Sequence, residues 1–292
     1  MMDDVFTCLI RGLRDSLSLQ RCLILVVKSK KIRLRLIQCL VLNGLVFLGS
    51  IFIFAKILNP LLRYMLSSIL IRDPSSETAI DNIQSWIEWI YFALWIVPVY
   101  VLSFILNAIW YQDIATESIK LYPSAAPVTC STITSAVVEL IFRSIFNLVF
   151  LIYLVALYRL KIIYAIHLSW LVAYNAFEYR WIHGGMAFSE KIINFEKNWI
   201  YFLAFGFPTA VVAVQFPGLI ENGLISLFFP LLVMCASTAG KPPRVTLVDR
   251  PWYVAYPMGF LERARIFFVL EKVTNGIVLV VDVYNKSFRK RS

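Results

Sequence analysis

Four residues near the start of the chain, Arg11-Gly12-Leu13-Arg14, have the types and spacing to hold an oxyanion. A glycine lets backbone N–H groups approach a ligand, and an arginine beside it offers a planar fork of donors. Glu139 and Arg143 form a second constellation, four residues apart in an apolar region, where one helical face lets them neutralise each other. The remaining inventory is thin. Two histidines, His167 and His183, cannot build a histidine-rich metal centre. The five cysteines, Cys8, Cys22, Cys39, Cys130 and Cys235, lie far apart with no C-x-x-C spacing and read as small apolar side chains. No glycine-rich phosphate loop or G-x-S-x-G appears, and the apolar spans hold no nucleophile paired with a base. The expectation is a chain without catalytic residues, cofactor or metal.

The elements that would position these groups belong in lipid. Of 292 residues 60% are apolar, and 28 basic plus 18 acidic side chains fall well short of the roughly 73 charges of a soluble chain this long. Disorder would need fewer apolar residues, and a secreted disulfide scaffold would need denser cysteines. A multi-pass membrane protein is what remains, and the spans read below make it an all-α one. Its net charge of +10 gathers at the ends: Arg11, Arg14, Arg21, Lys28, Lys30, Lys31, Arg33 and Arg35 at one, Lys286, Arg289, Lys290 and Arg291 at the other. These clusters abut apolar spans and match no nucleic-acid module, so anionic lipid headgroups are the expected contact.

Residues 1–35 read as an amphipathic basic segment. Phe6, Leu9, Ile10, Leu13 and Leu17 form one helical stripe, and Thr7, Arg11, Arg14, Ser18 and Arg21 another, as in a helix lying in the membrane interface. That periodicity explains Arg11 and Arg14 without any ligand, and it is the stronger reading of the two. Residues 36–237 read as the multi-pass domain. Leu36–Leu58 and Trp89–Gln112 are long enough to cross, the second flanked by Trp86, Trp89, Trp110 and Tyr111 as an aromatic belt. The stretch between them, Asn59 to Glu88, holds only Arg63 and Arg72 as basic residues, which places the N-terminus in the cytosol.

From Val128 to Ile182 no glycine or proline occurs, and as one helix this stretch would reach about 80 Å against a hydrocarbon core of about 30 Å. It must turn, and Arg159-Leu160-Lys161 is the only charged interruption of its apolar part. The arms are short, so a full crossing and a hairpin that enters part-way both stand. A second hairpin is expected from Asn198 to Ala236, turning at Glu221-Asn222-Gly223, with arms broken by prolines. Both hairpins return to their starting side, so both termini share the cytosolic face. Residues 238–292 read as a cytosolic or interfacial tail. Within it Asn285-Lys286-Ser287 matches a glycosylation acceptor on a side where modification is not expected.

Isolated polar groups in the apolar regions, Asn107 and Asn147, are expected to hydrogen-bond across helices, and His167 to be a packed, hydrogen-bonded core histidine. Glu178, Arg180 and Trp181 sit where the first hairpin leaves the apolar zone and read as an interfacial anchor: tryptophan at headgroup level, arginine toward phosphate.

Three strings, Asn107-Ala108-Ile109-Trp110-Tyr111-Gln112-Asp113-Ile114-Ala115, Phe177-Glu178-Tyr179-Arg180-Trp181 and Phe195-Glu196-Lys197-Asn198-Trp199, occur in this order. With their spacing they resemble the etoposide-induced protein 2.4 family, from about Arg11 to Ser237, the part shared with the bacterial CysZ sulfate permeases. The resemblance implies an endoplasmic reticulum membrane protein with two long transmembrane helices and two partly penetrating helical hairpins. In the eukaryotic branch it implies a link to autophagy and to growth or stress control, and in the bacterial branch passage of sulfate. Gly12, Leu13 and Arg14 resemble the Gly-Leu-Arg element of the permeases and carry over as candidate oxyanion contacts. The first functional expectation is thus a non-enzymatic protein acting through protein partners not legible in the sequence. The second is a channel or permease for sulfate-like oxyanions. Self-association is open.

Overall fold

Ser29 opens the first long helix: its backbone is extended, and its Oγ accepts the Ile32 N–H at 3.3 Å. Such a cap satisfies one of the donors a helix start leaves orphaned. The computed structural model describes residues 2–70, 76–122, 133–186, 188–216 and 218–242, with side chains outside the description at 2–3, 70, 76, 133–144 and 189. These residues form nine helices and, among the described residues, no strand: α1 (Met2–Ser16), α2 (Leu19–Lys28), α3 (Lys30–Ile69), α4 (Glu77–Leu121), α5 (Ile133–Leu157), α6 (Lys161–His183), α7 (Phe188–Lys197), α8 (Trp199–Val214) and α9 (Leu219–Thr238).

Helices α3, α4 and α9 are long and apolar enough to cross a membrane, and α7 with α8, bent by 85° where they meet, make a fourth if read as one broken span. The all-α membrane fold is therefore present, and its two longest members form an antiparallel pair. At 40 and 45 residues, α3 and α4 reach about 60 Å, roughly twice the hydrocarbon thickness. The excess is paired by polar contacts. Arg63 meets Asp81 at 3.3 Å, and Asn59 donates to Glu88 at 2.8 Å while accepting from Gln84 at 2.7 Å. Phe54 stacks on Tyr91 at 3.8 Å where the interface changes from apolar to polar. The stretch from Asn59 to Glu88, expected as a connection, is thus mostly a continuation of both helices. Outward-facing Leu45, Phe52, Leu94, Phe104 and Ile105 stay exposed, which costs nothing against acyl chains as apolar as leucine. Wider, i→i+5 turns interrupt α3 at Val41–Leu48 and Phe54–Leu58 and α4 at Phe92–Ile96.

The remaining helices pack around aromatic side chains. Tyr174, Phe177 and Trp181 of α6 interlock with Phe195 of α7 and with Tyr201, Phe202 and Phe205 of α8, and Phe195 stacks on Phe202 at 4.4 Å. Helix α6 turns back as expected after α5, through Tyr158–Leu160. It ends in a Schellman arrangement: Gly185 takes a positive φ of 66°, its N–H bonds the Ile182 carbonyl, and the Met186 N–H bonds that of Trp181.

Two close approaches set the packing. A Cβ on Gly206 of α8 would run into the Ser169 backbone of α6, and one on Gly12 of α1 would meet the Tyr201 carbonyl and sit 2.8 Å from the Ala204 Cβ of α8. Helix α1 is therefore docked on α8 by its Cys8, Gly12 and Asp15 side, while Phe6, Ile10 and Leu17 of its apolar stripe remain exposed.

The second hairpin differs from the sequence expectation. It turns before Glu221-Asn222-Gly223, at Gly218, whose φ of +58° is a conformation side chains rarely adopt. Glu221, Asn222 and Gly223 lie in the first turns of α9, and Pro208 and Pro230 sit inside unbroken helices. Gly223 serves packing instead: a Cβ there would lie 2.8 Å from Leu48 Cγ and 3.1 Å from Phe47 Cδ1 of α3.

Candidate functional site

Helix α9 is the member that ties the long pair to the hairpin bundle, and the polar groups of the interior converge on it. In its middle, Asn43 of α3 and Asn107 of α4 exchange two amide hydrogen bonds, at 3.0 and 2.8 Å. The Ser226 carbonyl of α9 accepts from Tyr111 Oη at 3.0 Å and from Asn43 Nδ2 at 3.4 Å. Serine, asparagine and tyrosine in apolar surroundings must find such partners or carry an unsatisfied dipole.

At the C-terminal end of α9 a second cluster forms. The Arg180 guanidinium of α6 donates to the carbonyls of Ala236, at 3.2 Å, and Ala239, capping carbonyls that the helix end leaves without partners. Cys22 of α2 lies with its Sγ 3.4 Å from Cys235 Sγ. Beside them Asp15, only 4% exposed, closes the joint between α1 and α2. Tyr201 Oη donates to its Oδ2 at 2.8 Å, Arg21 pairs with its Oδ1 at 3.2 Å, and Ser18 Oγ donates to its carbonyl at 2.6 Å. In this helical segment outside the spans, burial and the neighbouring Asp4 push the Cys8 thiol above its ordinary value.

At the opposite end of α9, Tyr164 Oη of α6 donates to Glu221 Oε1 at 2.6 Å, joining the tips of the two hairpins. A shallow pocket there is lined by Tyr158, Lys161, Tyr164, Gln215, Phe216 and Glu221. At the start of α3, Asp113 of α4 takes Lys31 Nζ at 2.7 Å and Arg35 at 2.8 Å. The chemistry of these groups is that of clamps: donors and acceptors are matched across helices. Among the described residues no three histidine, cysteine or carboxylate side chains stand where a metal could bind.

Gly12 is buried under α8, Leu13 is half-buried and Arg14 is exposed. Consecutive helical residues point about 100° apart, and N–H groups in a helix interior are engaged four residues back, so the three are not gathered on one ligand-facing surface. Glu139 and Arg143 lie within α5 with their side chains outside the described residues, as does the tail from residue 243, Asn285 included. Trp181, expected at the headgroup level, is buried at 6% exposure, and Glu178, expected to be available to a helix terminus or a lysine, at 0%. Trp181 packs edge-on to Phe202 at 5.8 Å, and Arg180 turns inward to α9. The physical reason is that α6 is enclosed by α8 and α9, so the surface an anchor needs is already occupied.

Asn107 bonds across helices as expected, whereas Asn147 keeps a buried amide oxygen with no hydrogen-bond partner among the described residues. His167 is hydrogen-bonded as expected, by Nδ1 to the Ile163 carbonyl and by Nε2 to Tyr153 Oη. Asn43, Asp15, Tyr201 and the Cys22–Cys235 contact escaped the sequence reading. An isolated asparagine in an apolar span was a legible signal for the first; no local pattern marks the others.

The string from Asn107 to Ala115 now has a physical content: Asn107 faces Asn43, Tyr111 reaches α9, and Asp113 holds the basic start of α3. Residues 18–215, from α2 to the end of α8, match the family described as sulfate transporter CysZ/etoposide-induced protein 2.4. Among curated proteins the chain is similar to the Protein EI24 homolog of Arabidopsis thaliana, 28% identical over 91% of this chain and 92% of that one. It is likewise similar to the Protein EI24 homolog of Dictyostelium discoideum, 28% identical over 97% of this chain and 88% of the other. Ectopic P granules protein 4 of Caenorhabditis elegans is 25% identical over 49% of this chain and 48% of its own. No solved structure matches significantly. With most of its helical core inside the matched region, the chain belongs to the sulfate transporter CysZ/etoposide-induced protein 2.4 family.

Proposed function

We propose that this protein is a multi-pass endoplasmic reticulum membrane protein with both termini in the cytosol, acting through protein partners in autophagy or in stress and growth control, without enzymatic activity. The observation that carries the reading is the pairing inside the spans. Asn43, Asn107 and Tyr111 bond one another's helices instead of lining a path, which supports a rigid scaffold that presents surfaces. Its relatives in Arabidopsis and Dictyostelium run along nearly the whole chain, well past residue 215 where the family match ends. The basic clusters at the two ends support the shared cytosolic side.

The deciding experiment joins two measurements on one set of cells and one purified sample. Deletion of the gene is expected to produce an autophagosome defect that the wild-type chain rescues, and the purified chain in proteoliposomes to carry no radiolabelled sulfate above empty vesicles. Sulfate flux abolished by Arg14→Ala would instead establish the oxyanion permease reading, which the family description and the exposed Arg14 favour. Terminal tags protected from protease in sealed microsomes, or glycosylation of Asn285, would overturn the topology.

A further inference from the structure

Two sulfur atoms from distant parts of the sequence lie side by side in the packed interior. Cys22 of α2 and Cys235 of α9 are 213 residues apart, yet their Sγ atoms are 3.4 Å from each other. Both are buried, at 3% and 0% exposure. The pair is held from both sides: Ser18 Oγ donates to Cys235 Sγ at 3.6 Å, and the Cys22 thiol faces the Leu231 carbonyl at 3.7 Å. Its surroundings are rigid, since Ser18 is also bonded to the Asp15 carbonyl and Arg180 fixes the end of α9. The neighbouring Cys235 sulfur and burial push the Cys22 thiol above its ordinary value. Ser18 Oγ donates to Cys235 Sγ whereas the Cys22 thiol is turned to the Leu231 carbonyl, so Cys235 is the sulfur with a donor fixed on it.

We propose that Cys22 and Cys235 are an oxidisable dithiol, which a small peroxide converts to an intramolecular disulfide joining α2 to the C-terminal end of α9. The Cys235 thiolate attacks the peroxide O–O bond, leaving a sulfenic acid on Cys235 and releasing hydroxide, which takes up the proton lost from that thiol. The Cys22 thiol then displaces the sulfenic hydroxyl as water, its sulfur forming the S–S bond. In sum two thiols lose two electrons and two protons, and one hydrogen peroxide becomes two waters. A small dithiol reverses the change by exchange. The sulfurs need approach by only about 1.4 Å to reach bonding distance. The disulfide would fasten the basic interfacial segment to a spanning helix that otherwise meets it only through hydrogen bonds and packing.

The test uses the full chain in lipid nanodiscs, treated with hydrogen peroxide, quenched with catalase and denatured in an alkylating agent. Non-reducing digestion is expected to yield a peptide linking Cys22 to Cys235 that dithiothreitol splits, with two fewer alkylated thiols per chain than in the untreated sample. The oxidised protein is expected to melt several degrees higher, and Cys22→Ala or Cys235→Ala to abolish both effects. Cys8 and Cys39, equally buried, serve as controls within the same digest. Thiol loss spread evenly over the cysteines, sulfinic acid at Cys22 or Cys235 without the linked peptide, or no reaction at either would overturn the proposal. If an alanine variant fails to fold, the peptide map of the wild-type chain decides alone.

Discussion

Asn43 and Asn107 face each other across α3 and α4, and each amide nitrogen donates to the other's oxygen, at 3.0 and 2.8 Å. Both are almost wholly buried, so the pair works as a reciprocal clamp in which neither residue can lose its partner without leaving polar atoms in an apolar setting. Asn43 also reaches the Ser226 carbonyl, so the same clamp sets where α9 enters. In this way Asn107 of the family-like string and its partner Asn43 together link three helices.

Replacing one member is expected to cost more than replacing both. Asn43→Leu should lower stability by about 1–3 kcal/mol, because Asn107 is left unsatisfied. Asn43→Leu with Asn107→Leu should fall within about 1 kcal/mol of wild type. Unfolding titrations in mixed micelles measure both, and strictly additive losses would contradict the clamp.

The glycines separate close packing from backbone freedom. Gly12→Ala and Gly206→Ala place a methyl group against the backbones of Tyr201 and Ser169, and overpacking of this kind costs about 1–3 kcal/mol or more. Gly218→Ala meets nothing within 4 Å and loses only through its backbone, whose φ of 58° with ψ of −116° lies outside the left-handed helical well, at about 1–3 kcal/mol. Thermal melts in nanodiscs free of sulfate test this, since a Gly12 role in packing requires the loss without any anion present.

Arg180 is expected to act on the far end of α9. Arg180→Ala removes a charged donor from the Ala236 and Ala239 carbonyls, a loss of about 1.5–3 kcal/mol. Arg180→Lys should restore part of it, since an ammonium lacks the guanidinium's fork. Limited proteolysis just beyond Ala239 is the readout, with the alanine variant cut fastest.

Salt should distinguish the two carboxylate clamps. Asp113, with Lys31 and Arg35, is partly exposed, so Asp113→Asn is expected to cost about 1 kcal/mol, shrinking as ionic strength rises. Asp15 is buried and bonded to Tyr201, so Asp15→Ala should cost about 1–3 kcal/mol at any salt concentration. Parallel melts at low and high salt compare them.

Composition and hydrophobic runs determined that this chain lives in a membrane as helices, because only helices and closed barrels satisfy the backbone in lipid, and uninterrupted apolar runs of about 20 residues have the length of a spanning helix. The turn after Leu157 and the bonding role of Asn107 were legible for the same reason: a charged break and a lone amide are local signals. Three-dimensional packing alone decided the rest. Trp181 has the sequence of an interfacial anchor, yet it is buried because Phe195 of α7 and Phe202 of α8 pack against it. Gly12 stands in a ligand-like string, yet it admits a neighbouring helix. Cys22 and Cys235 have no shared local pattern at all, and only the meeting of α2 with α9 brings their sulfurs together. Periodicity states which face of a helix is apolar; which partner covers that face depends on contacts between residues far apart along the chain, and these exist only once it has folded.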